Sequence, residues 1–222
     1  MRAHDLETTR KKILRAALAE FSANGPQGAR TAAIARRAGV NKRMLFYCFG
    51  SKAGLYREVL RHKLAQRASI MESTPEDLGS ALVHWFDNAA RDPVWIRLLH
   101  WEALATGGGT VAAEERRKLF DQALAIFRRW IERGSLEKEV DPAQWMISML
   151  GLTIFPLAFP HIVRLATGLA SDDAAFKAER HEFLRWIAGR IGGGAITANA
   201  VAGESEAGTA HASAARVDGA NP

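Results

Sequence analysis

Residues that begin and end helices alternate at short intervals between positions 24 and 52, and this pattern restricts the fold more than any other feature of the sequence. Thr31, Asn41 and Ser51 have short polar side chains that can accept hydrogen bonds from the free N–H groups of a first helical turn. Gly39 lies between the first two and permits a tight turn. The intervening segments are therefore predicted to be helices, over about 32–38, 42–49 and 52–71.

The rest of the chain also has the periodicity of helices. Upstream, Ile13, Ala17 and Phe21 lie on one stripe of an amphipathic helix over 5–24, which ends at Asn24-Gly25-Pro26. Pro75 is predicted at the first position of the next helix. Further helices are predicted over about 76–91, 93–105, 110–134, 141–155, 160–168 and 172–191. No alternating strand pattern appears, so the expected fold class is all-α.

Charge divides the chain unevenly. Residues 1–64 carry 14 Lys and Arg against four Asp and Glu, although the whole chain has a net charge of only +6. A basic N-terminal quarter indicates a module that binds a polyanion, joined to a different module. A solvated basic face without a partner is the alternative, and charge alone does not separate DNA, RNA and an anionic membrane. Domains are expected at 1–64 and 65–191, followed by a disordered, Ala- and Gly-rich tail over 192–222.

The segment from residue 30 to residue 49 has the geometry of a helix-turn-helix. Ile34, Ala35 and Ala38 are small enough on the inner face for the next helix to approach closely, and Leu45, Phe46 and Phe49 are predicted to complete this core. The second helix would present Lys42 and Arg43 at its N-terminus, where such helices meet base edges in the major groove.

Phosphate contacts are predicted around this helix. Thr31 and the free N–H groups of the second helix suit phosphate oxygens, as do Tyr47 and Lys52. Arg10, Lys11 and Lys12 could reach the DNA backbone or a neighbouring minor groove.

Residues 9–60 resemble the N-terminal domain of TetR-family (TetR/AcrR) transcription regulators. The matching positions lie in register across four helices: Thr9-Arg10-Lys11-Lys12-Ile13-Leu14, Ala17, Phe21, Gly25, Thr31, Ile34-Ala35, Ala38-Gly39-Val40-Asn41-Lys42, Leu45-Phe46-Tyr47-Cys48-Phe49-Gly50-Ser51-Lys52, Leu55-Tyr56 and Val59-Leu60. The family commonly has Ser or Thr in place of Asn41, and Gly-Thr in place of Arg43-Met44. Met44 therefore does not take over the phosphate contact of that Thr. Instead, Arg43 offers a bidentate contact to guanine, and Met44 a contact to a thymine methyl group.

The resemblance implies more than a DNA-binding domain. It implies a homodimer in which each subunit places one recognition helix on half of a palindromic operator. It also implies a C-terminal domain that binds a small molecule and usually releases DNA when it does. The family pairs its last two long helices across the dimer, here about 141–168 and 172–191.

The second domain is rich in large apolar rings. An aromatic-lined pocket for an apolar or amphipathic ligand is one interpretation, and a plain helical core with a dimer interface is the other. The candidate ligand contacts are Trp85, His100, Trp101, Phe127, Trp130 and Phe155. The histidines lack metal-binding spacing and no cofactor motif appears, so neither a metal nor a cofactor is expected.

Two rival functions are alternatives to a cytoplasmic transcription repressor. An enzyme is disfavoured, because the sequence has no nucleophile–base pair and its Gly107-Gly108-Gly109 segment lacks the Lys-Ser/Thr of a phosphate-binding loop. A protein that binds nucleic acid or an anionic surface without sequence preference is the second rival. The N-terminus is polar and charged, without the apolar stretch of a secretory signal.

Overall fold

The computed structural model describes residues 3–105 and 111–192, and all regular structure within these ranges is helical. The described helices are α1 (Ala3–Gly28), α2 (Thr31–Ala38), α3 (Lys42–Phe49), α4 (Lys52–Glu72), α5 (Leu78–Ala90), α6 (Pro93–Ala103), α7 (Ala113–Glu132), α8 (Pro142–Ala158), α9 (Pro160–Thr167) and α10 (Ala174–Ile191). The prediction of an all-α fold is confirmed. The predicted loop at Gly107-Gly108-Gly109 and all of the predicted tail beyond Gly192 lie outside the described residues.

The predicted helix end at Asn24-Gly25-Pro26 is confirmed as a break in α1, which is kinked at Gly25. Gly25 has a φ of 68°, after which the chain re-enters a helical turn that ends at Gly28. A Cβ atom at Gly25 would lie 2.7 Å from the ring of Trp101 on α6. Glycine is therefore required at position 25 for two reasons: the positive φ of the backbone and the close approach of the Trp101 indole.

Two of the three predicted N-caps are confirmed. The Asn41 side chain accepts from the Met44 N–H at 2.8 Å, and the Ser51 hydroxyl accepts from the Gly54 N–H at 2.9 Å. The predicted cap at Thr31 is wrong, because Arg30 is the N-cap of α2 and Thr31 already lies in its first turn.

The start of the fifth helix also differs from the prediction. Pro75 lies outside this helix, because α5 begins at Leu78, where Asp77 accepts a hydrogen bond from the Ser80 N–H. A carboxylate that satisfies a free N–H of the first turn fixes the start of the helix.

Two clusters of buried side chains hold the fold together. The first joins α1–α4 to one side of α6 through residues such as Phe21, Leu45 and Leu98. The second lies among α5, α7, α8 and α10, and is centred on residues such as Phe86 and Phe127. Helix α4 continues without interruption through residue 64, so the division predicted there falls inside a helix and stays a prediction.

Helices α8 and α9 are separated by a bend of 85° at Phe159 and Pro160. Pro160 cannot donate to a preceding carbonyl, which favours a break at this position. In the ranges that the structure describes, no single helix is long and apolar enough to cross a membrane, and α8 with α9 reaches that length only as this bent pair.

Candidate functional site

The inner side of the helix-turn-helix is a tightly buried seam. Ile34 on α2 and Leu45 on α3 are fully buried, and Phe49 is nearly so. Gly39 between the helices adopts the left-handed conformation with a φ of 68°, as the turn requires. The prediction that Phe46 belongs to this core is wrong, because its side chain is exposed on the outer side of α3.

The outer side of α3 presents its charged and polar residues to solvent. Lys42, Arg43 and Tyr47 are all exposed, and Tyr47 is 71% accessible. The Lys42 ammonium lies 5.7 Å from the centre of the Phe46 ring, a cation–π distance. Because the first turn of α3 has no acidic residue, its positive N-terminal dipole and its two cations have the same sign. This surface suits a polyanion.

Four other predicted DNA contacts surround this surface. Thr31 and Met44 are half-buried, and the Met44 sulfur lies 3.9 Å from the Cys48 thiol. Asn41 is exposed at the start of α3 and caps it. The Lys52 ammonium donates to the carbonyls of Gln27 and Ala29 at 2.9 and 3.0 Å, so it helps to hold the end of α1.

A contact that the sequence did not reveal holds α3 against α1. The Arg10 guanidinium donates to the carbonyl of Cys48 and lies 4.5 Å from the centre of the Phe49 ring. Within the chain Arg10 therefore positions α3 through the Cys48 carbonyl, while the reach of Arg10, Lys11 and Lys12 toward DNA stays a prediction. No local pattern predicts this contact, because 38 residues separate donor and acceptor.

Behind the helix-turn-helix lies a cavity of about 190 Å³ between α4, α5, α6, α7 and α8. Most of its wall is apolar. Its lining consists of Arg67, Ile70, Met71, Trp85, Ala89, Trp95, Leu99, Arg116, Leu119, Phe120, Ala123, Phe127, Met146, Met149, Leu150, Thr153 and Ile154. The Thr153 hydroxyl is already bonded to the Met149 carbonyl at 2.8 Å, so the polar character of the wall comes mainly from two arginines.

These two arginines flank one indole. Arg67 and Arg116 lie 5.4 and 5.9 Å from the centre of the Trp95 ring. Arg67 pairs with Asp92, which also accepts from the Lys63 ammonium at 2.7 Å. Arg116 pairs with Glu102. One end of an otherwise apolar cavity is therefore charged.

Burial shapes the pKa values at this end. Desolvation would raise the pKa of Asp92, but the hydrogen bond from Lys63 and the charges of Lys63 and Arg67 lower it. For Glu102 desolvation outweighs Arg116, and the pKa of this carboxyl is raised. Burial, with a contribution from Glu102, raises the pKa of Tyr56 to about 12. Asp92 is thus a firm anion, whereas the negative charge of Glu102 is less favoured.

The structure distributes the six predicted ligand contacts among different places. Trp85 and Phe127 line the cavity. Trp130 packs behind them, with ring centres 5.7 and 5.3 Å away, and its indole N–H donates to the carbonyl of Glu76.

The other three predicted contacts lie away from the lining of this cavity. His100 and Phe155 both contact Phe159. Trp101 donates to the carbonyl of Ser22 on α1 at 3.1 Å. Their role as ligand contacts stays a prediction.

The sequence did not identify Arg67 and Arg116 as cavity residues, and Trp95 is not among the six predicted ligand contacts. Three different helices bring them together, so no spacing within the sequence marks them. One sequence feature does mark the two arginines: helical periodicity places Arg67 of α4 and Arg116 of α7 on the apolar side of their helices.

Helices α8, α9 and α10 leave large apolar side chains exposed. Among them are Ile147, Leu150, Phe155, Phe159, Ile162, Leu165, Phe183 and Trp186. Leu165 is the most accessible of them, at 86%. By contrast, Met149 and Leu184 lie within the two segments that the resemblance assigns to a dimer interface but are buried within the chain.

Taken together, a basic recognition helix on a buried seam, with a separate helical domain behind it, defines a helix-turn-helix transcription regulator. Residues 13–59 match the family model described as bacterial regulatory proteins of the tetR family. Residues 77–190 match the model of the tetracyclin repressor-like C-terminal domain. The chain belongs to the TetR family of DNA-binding transcriptional regulators, which are not enzymes.

Relatives support this assignment over most of the chain. RutR, a transcriptional regulator of Escherichia coli, is 31% identical over 185 residues, which cover 79% of this chain and 86% of that protein. The transcriptional repressor SCO4008 of Streptomyces coelicolor is 29% identical over 169 residues, covering 76% and 88%.

Solved structures share the fold. The transcriptional regulator SCO4942 of Streptomyces coelicolor has a TM-score of 0.70 at 24% identity, covering 83% of this chain and 98% of that one. FadR of Bacillus subtilis, solved in complex with stearoyl-CoA, has a TM-score of 0.58 at 18% identity, covering 78% and 96%.

Proposed function

We propose that this protein is a repressor that binds a specific palindromic operator as a homodimer and is released by a small apolar or amphipathic ligand. The observation that carries the proposal is the outer side of α3, where Lys42, Arg43 and Tyr47 are exposed while Leu45 and Phe49 anchor the helix. In this proposal Arg43 contacts guanine, Met44 touches a thymine methyl group, and Tyr47 contacts a phosphate. Lys42, which the sequence places near the base edges, is assigned here to a phosphate. Such a regulator acts at the chromosome, so we propose that the protein is located in the cytoplasm.

Dimer formation would use the exposed apolar side chains of α8–α10. A second copy that covered Leu165, Trp186 and their neighbours would remove this surface from water, which is favourable at about 25 cal/mol per Å² of apolar area. A two-fold dimer places two copies of α3 on two half-sites, one helical turn of DNA apart or a multiple of it.

Release by a ligand would use two connections between the cavity and the helix-turn-helix. Helix α4 begins beside α3 at the Ser51 cap and carries Arg67, Ile70 and Met71 to the cavity. Helix α6 carries Trp95 to the cavity and Trp101 to α1, where the indole packs on Gly25. A ligand that shifts α4 or α6 would therefore change the position of α3 relative to its partner copy.

Footprinting on DNA that flanks the coding region, combined with a solution mass measurement, tests the proposal. The expected result is a dimer and one discrete, symmetric protected site. Uniform protection that only follows salt concentration would instead favour the rival function, binding to DNA without sequence preference. A monomer at micromolar concentration would contradict the palindromic arrangement.

A further inference from the structure

We infer that the cavity binds a small apolar carboxylate whose anionic group pairs with Arg67, an inference that rests on the proposed ligand-responsive function. The juxtaposition that carries it is an apolar cavity whose lining brings Arg67, Trp95 and Arg116 together. The apolar wall alone would accept any oily molecule of suitable size. The charged residues in the wall restrict which ligands the cavity can bind.

The buried charges around these residues do not balance. Lys63, Arg67 and Arg116 are cations, and their carboxylate partners are Asp92 and Glu102. The side chains of all five residues are at most 22% exposed. One positive charge is therefore in excess in a poorly solvated place, which is costly unless an anion compensates for it.

Arg67 is the residue best placed to accept this anion. Its Nη2 atom bonds to Asp92, but its Nε atom is buried and has no hydrogen-bond partner among the described residues. A guanidinium prefers to engage its N–H groups in pairs with a planar carboxylate, and it can do so while stacked on an aromatic ring. Arg116 differs, because its Nε atom already donates to the Val111 carbonyl at 3.3 Å.

Volume and charge both limit the ligand. An apolar cavity of about 150 Å³ suffices for benzene, so about 190 Å³ suits one ring with a short substituent or a short alkyl chain. A carboxylate carries a single charge, which matches the single excess cation, whereas a phosphate monoester carries about −1.5 to −2. The ligand class is therefore a monocarboxylate with a compact apolar body.

Calorimetric titration of the full-length protein with two matched sets of probes tests the inference. The aromatic set is phenylacetate, phenylacetamide and phenethylammonium, and the aliphatic set is octanoate, octanamide and octylammonium. In at least one set, the carboxylate should bind about tenfold or more tightly than its amide, and the ammonium should bind most weakly. Equal affinity for carboxylate and amide, or no binding by either carboxylate, would overturn the inference.

Variants locate the anion. Arg67→Gln should bring the carboxylate-to-amide ratio close to one while amide binding persists, and Arg67→Lys should restore part of the preference. Arg91→Gln, which removes an arginine that is 71% exposed, is the matched control and should keep the wild-type ratio. An unchanged ratio in Arg67→Gln would refute the assignment to Arg67. If the wild-type protein showed no carboxylate preference but still gave the operator footprint, the inference would fail while the proposed function stood, so the two failures are distinguishable.

Discussion

The outer side of α3 and the charged end of the cavity both depend on arginine, but they hold it in opposite environments. Arg43 is exposed beside Lys42, at the N-terminus of a short helix. Arg67 is 11% exposed, lies 5.4 Å from the centre of the Trp95 ring and is paired with Asp92. An exposed cation contributes through long-range attraction that salt screens, whereas a buried one contributes through partners that cannot be removed without large cost. The same side chain therefore serves recognition in one region and stability with ligand selection in the other.

The largest expected effect comes from removing the charge that compensates the buried cations. Asp92→Asn should lower the free energy of unfolding by about 3–5 kcal/mol at neutral pH, because Lys63 and Arg67 lose their shared anion. Asparagine can still cap α6 as Asp92 does, so the loss reports mainly the charge. Urea denaturation measures it.

The exposed Asp121 provides the matched control for this variant. Asp121→Asn should change the stability by no more than about 0.5 kcal/mol. Similar losses of unfolding free energy in Asp92→Asn and Asp121→Asn would mean that the burial of Asp92 with Lys63 and Arg67 does not add to its contribution.

Acid should remove part of the same stabilisation. The pKa of Asp92 is lowered in the folded chain, so the folded state binds fewer protons than the unfolded state. The contribution is complete above the unfolded pKa of about 4 and is lost as the pH falls through the lower folded pKa. The stability difference between wild type and Asp92→Asn should therefore narrow as the pH falls from about 5 to about 2. Parallel pH profiles would exclude Asp92 as the titrating group.

On the recognition helix, truncation should affect binding rather than folding. Arg43→Ala should weaken binding to the operator by about 1–3 kcal/mol, with a much smaller loss on random duplex and unchanged thermal stability. Arg128→Ala removes one exposed charge from the far domain and should leave both affinities close to wild type. Fluorescence anisotropy with labelled duplexes measures these affinities. Equal losses on operator and random DNA would remove Arg43 as a base contact.

The smallest expected effect is a change of salt dependence. Lys42→Ala should weaken binding to operator and random duplex alike, and should lower the slope of log K against log salt by about 0.9. A loss confined to the operator would assign Lys42 to a base instead of a phosphate.

The two regions also differ in how far the sequence revealed them. Asn41, Gly39 and Ser51 were predicted correctly because capping and turn formation depend on neighbours within a few residues. Thr31 was misplaced because a distant group fixes the start of α2, where the Arg30 N–H donates to the Glu20 carboxylate at 3.2 Å. Sequence patterns therefore predict hydrogen bonds between near neighbours well and those between distant residues poorly.

The cavity depends on long-range contacts. The sequence showed that the second domain is rich in aromatic residues, and of these Trp85 and Phe127 do line the cavity. Trp101 was predicted on the same grounds but packs against α1. Whether a ring faces the cavity or a neighbouring helix depends on the angles at which the helices cross. The pairing of Arg67 with Asp92 spans 25 residues and joins α4 to the start of α6. No spacing rule within one helix predicts such a pair.

Selection of bound duplexes from a random DNA library, with wild type and Arg43→Ala in parallel, tests most directly whether α3 recognises sequence. The account predicts that wild type enriches an inverted repeat whose half-sites lie about one helical turn apart. It also predicts that Arg43→Ala relaxes the preference at one guanine position in each half-site. A library that shows no enriched motif with wild type, or the same motif with both proteins, would contradict it.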